Sequence, residues 1–197
     1  MQYIDRSQVK CSYATRSVPQ EQMCTLVALP DVPRAGDLLL TNVVSLGRNT
    51  MIEARDCLRT HIFPGNSLIV ALGNRYATDH YEGYVPTRLE ASCDLLAISG
   101  VCGEVFARSH AVPAPTRLRI LGAVGDANGK ALNTRDFAMQ PEVASSQAQV
   151  TLVVGSSLNS GCNTLVGALA RGLILKGAAS VLFASRAQRR AAMSATS

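Results

Sequence analysis

The first 140 residues contain short apolar runs, each bounded closely by proline, glycine, asparagine or aspartate. Turn signals include the segments PRAGD, PGN and DANG. Runs separated in this way are typical of strands that are joined by tight turns, and close spacing favours a small barrel or sandwich. The clearest runs are Cys24 to Leu29, Asp37 to Val44, Ser67 to Leu72, Asp94 to Ile98 and Arg117 to Gly122. The sequence therefore predicts a mainly β domain over residues 1–140.

The apolar runs are all far shorter than the roughly 18 residues that a membrane-spanning helix needs. The N-terminal segment MQYIDRSQVKCSY mixes charged with polar residues and has no apolar stretch of signal-peptide length. We therefore expect no membrane contact, a cytoplasmic protein, and reduced thiols at its six cysteines.

The formal net charge of +5 comes from 19 basic and 14 acidic residues. All acidic residues lie at or before Glu142, and residues 1–142 carry 14 groups of each sign. The excess of basic charge belongs to the last 55 residues, at Arg171, Lys176, Arg186, Arg189 and Arg190. A nucleic-acid site needs such charges clustered on a folded surface, so a solvated tail is the expectation and nucleic-acid binding is not.

The pattern changes near residue 150, in the segment QVTLVVGSSLNSGCNTLVGALARGLILKG. A β-branched run is followed by a glycine-containing loop and then by apolar residues at helical spacing, with Gly177 at the expected C-cap. Ser180 to Ala184 could form a second strand. We predict an α+β chain: the β domain, a polar linker over residues 139–149, an incomplete βαβ unit over residues 150–184, and a disordered tail over residues 185–197.

A strand, a glycine loop and a helix N-terminus together form a phosphate cradle, because backbone N–H groups and the helix dipole converge on an anion. The loop from Gly155 to Gly161 has five residues between its glycines, where the standard P-loop has four. This spacing after VTLVVG resembles the variant P-loop of the dethiobiotin-synthetase-like NTPases. The resemblance covers Gln149 to Ala178 and does not extend to the β domain.

The resemblance implies that ATP or GTP binds with Mg²⁺ at the loop and the first helical turn, namely at Gly155, Asn159, Ser160, Gly161, Cys162, Asn163 and Thr164. Cys162 stands where the family has its lysine, and Asn163 stands where it has a metal-binding hydroxyl. A thiol supplies no cation to the phosphates. We therefore predict a degenerate nucleotide-binding protein with little or no hydrolysis. The alternative is a plain connecting loop in which Asn159 or Ser160 caps the helix.

Only 20 residues follow Gly177, and none of them is acidic. A P-loop NTPase needs further strands and an acidic residue for its magnesium shell. We therefore expect a truncated or frameshifted relative of a longer NTPase or ATP-dependent ligase, with a native solvated tail as the alternative. A lone βαβ unit must also cover its faces, so it is predicted to pack on the β domain, to form a homodimer through its helix, or to remain partly unfolded.

The segment GNRYATDHYEGY combines charged residues with three of the five tyrosines. Tyrosine offers apolar area and a hydroxyl together, which suits a binding surface. The candidate partner-binding residues are Arg75, Tyr76, Asp79, His80, Tyr81 and Glu82. The alternative is a surface hairpin whose tyrosines pack on neighbouring strands. The second predicted function is therefore a non-catalytic β-barrel interaction module.

Metal ligands and catalytic groups have no recognisable pattern. His61, His80 and His110 are isolated, and the six cysteines form no Cys-x-x-Cys pair. No metal site is predicted and no catalytic residue is identified.

Overall fold

The computed structural model describes residues 2–77, 80–139, 150–155 and 160–177. The chain divides into two compact units, Met1–Met139 and Gln140–Ser197. The first unit is built from strands, and the described part of the second contains one α-helix. The predicted α+β class, a mainly β domain followed by a helical segment, is therefore confirmed.

The first unit contains twelve strands among its described residues. They are β1 (Gln2–Tyr3), β2 (Val9–Cys11), β3 (Thr25–Val27), β4 (Leu38–Ser45), β5 (Met51–Glu53), β6 (Arg59–His61), β7 (Ser67–Leu72), β8 (Arg75–Tyr76), β9 (Tyr81–Tyr84), β10 (Ser92–Leu95), β11 (Val101–Arg108) and β12 (Thr116–Gly125). Short 3-10 helices cover Arg6–Gln8, Tyr13–Thr15, Gln20–Gln22 and Thr134–Phe137. Each of the five predicted apolar runs overlaps a strand.

Five of these strands pair in a closed ring. β4 pairs antiparallel with β12 and with β7, and β7 pairs parallel with β11. β10 then pairs antiparallel with both β11 and β12, which closes the ring. Outside the ring, β3 and β1 extend the sheet from β12, and β9 and β8 extend it from β11.

The core follows the alternation of side chains along the ring strands. In β7, Leu68 and Val70 belong to one buried cluster while Ile69 belongs to another, because successive side chains in a strand point to opposite faces. The first cluster takes residues from all five ring strands and so fills the interior of the ring. Its members include Leu39, Leu95, Cys102 and Leu118. The second cluster lies on the other face of β4 and β7, beneath Val18 and Met23 of the N-terminal segment.

The second unit contains α1 (Cys162–Leu175). The helix ends as predicted, with Gly177 at a φ of 78° and its N–H donating to the Ile174 carbonyl at 2.9 Å. The strand predicted over residues 150–154 is wrong, because the structure assigns no strand there and leaves Val150, Leu152 and Val154 exposed. A β-branched run needs a neighbouring strand to pair with, and these residues pair with none in the described chain.

Several predicted segments lie outside the described residues: most of the polar linker, the second strand at Ser180 to Ala184, and the tail over residues 185–197. Among the described residues, no helix combines the length and the apolar character that crossing a membrane requires.

Candidate functional site

The tyrosine-rich segment forms strands β8 and β9 at one end of the large sheet. β9 pairs with β11, with Tyr84 opposite Glu104, and β8 pairs with β9, with Tyr76 opposite Glu82. Residues that pair directly share a face, and so do alternate residues of one strand. Tyr76, Glu82 and Tyr84 therefore lie on the same face. β8 is the last strand in the order of the sheet, so this face reaches its edge.

One of the three tyrosines in this segment is buried, and the other two are exposed. Tyr81 is fully buried, and its hydroxyl donates to the Pro113 carbonyl at 2.9 Å. Burial raises the pKa of its hydroxyl. Tyr76 and Tyr84 are exposed by 64% and 42%. The structure thus brings two of the three tyrosines to the surface and uses the third as a structural support.

Phe106 is the aromatic residue that sequence reasoning missed. Its ring is 78% exposed and meets the Tyr84 ring edge-on, with centroids 6.1 Å apart and planes at 66°. The β9–β11 register shifts between Val105 and Ala107, so Phe106 is the extra residue of a β-bulge. We call the exposed rings of Tyr76, Tyr84 and Phe106 the aromatic edge. This bulge depends on how β11 pairs with β9, which the sequence alone does not show. The sequence identifies Phe106 as an aromatic residue but does not place it at this surface.

Gly83 allows β9 to approach its neighbours. A Cβ at this position would lie 2.6 Å from Leu96 Cδ2 and 3.0 Å from the Glu104 carbonyl oxygen. Beside it, the Tyr84 hydroxyl donates to the Glu82 carboxylate, and this hydrogen bond raises the pKa of Tyr84. Glu82 therefore orients an aromatic ring of the surface as well as supplying charge.

Arg75 and His80, two further predicted contact residues of this segment, make contacts within the fold. The Arg75 guanidinium donates to the Leu96 carbonyl. His80 packs edge-on against Tyr81, with ring centroids 4.4 Å apart. Burial, followed by the charges of Arg75 and Arg48, lowers the pKa of His80 to about 4, so its imidazole is neutral at physiological pH. Asp79 lies outside the described residues.

A cavity of about 540 Å³ adjoins Phe106. We call it the Phe106 groove; its wall combines apolar with charged side chains, among them Ser45, Asp94, Phe106, Arg108, Pro115 and Arg117. Arg117 Nη1 lies 2.8 Å from Asp94 Oδ1, and Asp94 Oδ2 accepts the Val105 N–H at 3.1 Å. The second Arg117 nitrogen, Nη2, donates to Ser92 Oγ at 2.8 Å. The groove therefore has one guanidinium held firmly in place by strand neighbours.

The loop between β11 and β12 forms the opposite wall of this groove. Arg108 Nη1 donates to the Val112 carbonyl at 2.6 Å, and the Arg48 N–H donates to the Ala114 carbonyl at 3.0 Å. Gly47 is needed at this contact, since a Cβ there would collide with the Ala114 carbonyl. The Arg108 side chain and the Arg48 backbone N–H thus hold this loop in place.

The predicted phosphate loop is described only at its two ends. A Cβ on Gly155 would collide with Ser160 Oγ and Cys162 Sγ, so the two described ends of the loop lie close together. Gly161 is the N-cap with a φ of 84°, and no side chain caps the helix. Ser160 Oγ instead lies 3.3 Å from Cys162 Sγ, so the alternative in which Ser160 is the N-cap is wrong. Asn163 and Thr164 are exposed in the first turn, and Asn159 lies outside the described residues.

Metal-ligating side chains do not gather in the described ranges, where no group of three or more histidines, cysteines, aspartates or glutamates is found. Comparisons with protein-family models, with curated proteins and with solved structures find no match.

Proposed function

We propose that the unit Met1–Met139 is a non-catalytic β-barrel interaction module that binds a partner protein through the aromatic edge. The observation that carries this proposal is the shared exposure of Tyr76, Tyr84 and Phe106 at the end of the sheet. Aromatic rings grouped on a surface leave apolar area in contact with water. A partner that covers the rings removes this area from water, which favours binding. Tyrosine is also among the residues enriched in protein interfaces.

The geometry next to the rings supports the same function. β8 is the last strand in the order of the sheet, so a partner segment that lies against this end of the sheet contacts the exposed rings. Phe106 protrudes at a bulge, and bulges commonly redirect a side chain at sheet edges and next to sites. Glu82 and Phe106 hold the Tyr84 ring in one orientation before binding. The Tyr84 side chain therefore loses less conformational entropy when a partner binds.

The test is a selection of random-sequence peptides, displayed on phage, against the full-length protein. Affinities of the selected peptides are then measured by fluorescence polarisation for the wild type and for Phe106→Ser. Removal of a central aromatic contact costs about 2 kcal/mol or more, so we expect the affinity to fall about 30-fold. Phe63→Ser is the matched control, because Phe63 is an exposed phenylalanine that does not belong to the aromatic edge. Equal losses in both variants, or no selected peptide, would contradict the proposal.

A second candidate function is degenerate nucleotide binding at Gly155 to Thr164, in a chain related to the dethiobiotin-synthetase-like P-loop NTPases. It is favoured by the close approach of Gly155 to Ser160 and Cys162. That approach brings the start of the loop to the N-terminus of α1, where uncapped N–H groups and the helix dipole attract a phosphate. ATP or GTP with Mg²⁺ is the proposed ligand, and the missing lysine leaves hydrolysis without its main cation.

Nucleotide binding is tested by thermal melting of the full-length protein with and without Mg-ATP and Mg-GTP. A ligand that binds only the folded state raises the melting temperature. The double variant Cys162→Lys with Asn163→Thr restores the cation and the hydroxyl, so it should bind nucleotide more tightly in calorimetry. Identical nucleotide affinities of the wild type and the double variant would contradict the P-loop interpretation. The homodimer through α1 stays a prediction; its exposed apolar residues are Leu165, Leu169 and Leu173.

A further inference from the structure

The Phe106 groove indicates the chemistry of the partner, and this inference rests on the proposed function. We infer that the partner contributes an acidic peptide segment, whose carboxylate binds Arg108 and Arg117 in the groove while an adjoining apolar side chain packs on Phe106.

The groove has the size and the mixed lining that such a segment needs. Its volume of about 540 Å³ lies within the ordinary range for ligand pockets. Val105, Ala107, Ala114 and Pro115 provide apolar area in the same lining as the two guanidinium groups. Phe106 lines the groove and also belongs to the aromatic edge, so one extended segment can contact both surfaces.

The two arginines are positioned before a ligand arrives. Arg117 is held by Asp94 and Ser92, and Arg108 is held by the Val112 carbonyl. A guanidinium carries five N–H donors, so these bonds leave each group with donors to spare. Arg117 keeps 44% of its side chain exposed despite the ion pair. A carboxylate suits this arrangement, because arginine binds it through two parallel hydrogen bonds and little side-chain entropy is lost here.

The surrounding charges favour an anion over a cation. Among the residues that line the groove, Arg108 and Arg117 are basic and Asp94 is acidic. Asp94 is itself paired with Arg117 at 2.8 Å. Arg108 therefore gives the lining a net positive charge that suits a carboxylate, and such complementarity chiefly provides specificity and a faster association rate.

A peptide is favoured over a nucleic acid by the charge of the unit as a whole. Met1–Met139 contains 14 basic and 13 acidic residues, which is close to neutral. Nucleic-acid affinity comes largely from many phosphate contacts and so needs a basic stripe or patch. Two arginines flanked by apolar walls match one or two carboxylates better than a polyanionic backbone.

The experiment uses the phage-selected peptides together with a fluorescein-labelled oligothymidylate as the nucleic-acid probe. We expect the selected peptides to be enriched in Asp or Glu next to an aromatic or aliphatic residue. Changing that acidic residue to its amide should weaken binding to the wild type about tenfold. Arg108→Gln should weaken the acidic peptide similarly and leave the affinity for its amide counterpart unchanged, and higher salt should weaken only the acidic peptide.

Arg119→Gln is the matched control, since Arg119 is an exposed arginine two residues along β12 from Arg117 and does not line the groove. Arg108→Lys serves as the second variant: it keeps the charge but loses the planar fork, so its affinity should fall between those of the wild type and Arg108→Gln. Peptides without acidic enrichment that still depend on Phe106 would overturn this inference and leave the proposed function intact. Equal effects of Arg108→Gln and Arg119→Gln, or tighter binding of the oligothymidylate through Arg108, would also overturn it.

Discussion

Asp94 and Arg117 are directly paired across the β10–β12 ladder, and their side chains form an ion pair at 2.8 Å. The carboxylate is almost completely buried, with 7% of its side chain exposed, while the guanidinium reaches the Phe106 groove. β10 closes the ring between β11 and β12, so the ion pair lies where the ring closes and beside the candidate binding surface. A single interaction therefore both supports the ring and orients a proposed ligand contact.

Asp94→Ala should lower the free energy of unfolding by about 1–3 kcal/mol, because Arg117 and the Val105 N–H both lose their acceptor. The loss stays below that of a fully buried ion pair since Arg117 retains access to water. Urea unfolding of the full-length protein measures it. Asp31→Asn, at an exposed aspartate, should change the free energy by less than about 0.5 kcal/mol. Equal effects of the two variants would exclude a structural role for the ion pair.

Acidification should destabilise the protein through His80. Its pKa is about 4 in the folded chain against 6.5 for the free side chain, so the unfolded state binds the proton more readily. This contribution to stability is fully present above pH 6.5 and is lost as the pH falls towards 4. Urea midpoints measured between pH 7 and pH 4 should fall more steeply for the wild type than for His80→Gln. Parallel curves would show that His80 titrates normally.

Tyr81→Phe should lower the free energy of unfolding by about 0.5–1.5 kcal/mol, since the partly buried hydrogen bond from its hydroxyl to the Pro113 carbonyl at 2.9 Å is lost. Pro113 lies in the loop that walls the Phe106 groove, so binding of acidic peptides should weaken as well. Tyr3→Phe is the matched control because Tyr3 is mostly exposed, and it should change the free energy of unfolding by less than about 0.5 kcal/mol. Chemical denaturation compares the two variants; a larger loss for Tyr3→Phe would contradict the packing role assigned to Tyr81.

Gly83→Ala should destabilise the sheet by about 1–3 kcal/mol, because the new methyl group meets Leu96 and the Glu104 carbonyl oxygen at 2.6 and 3.0 Å. The melting temperature of the first unit measures the effect. Gly167→Ala places the same methyl group in open space in α1, so it should leave that melting temperature unchanged. Unaltered melting of Gly83→Ala would mean that β9 can move away from β11 at little cost.

The sequence determined where most of the long strands form, because an apolar run bounded by turn residues is local information. β4, β7 and β12 coincide with predicted runs, whereas the two-residue strands β1 and β8 were too short to leave a pattern. The end of α1 at Gly177 was predictable for the same reason, since a glycine at positive φ terminates a helix locally. The run at residues 150–154 led to a wrong strand prediction. An apolar β-branched segment forms a strand only where another strand pairs with it, and the local sequence does not show whether one is available.

The sequence also drew attention to the segment from Arg75 to Tyr84 through its composition, but only the tertiary structure distinguished buried Tyr81 from exposed Tyr76 and Tyr84. Phe106, Arg108 and Arg117 joined the candidate site through strand pairings that bring together residues distant along the chain. Local patterns fix which residues become strands, since propensity and alternation act over a few positions. Register, bulges and the closure of a ring depend on contacts between remote segments, so the site they create became visible only in the folded chain.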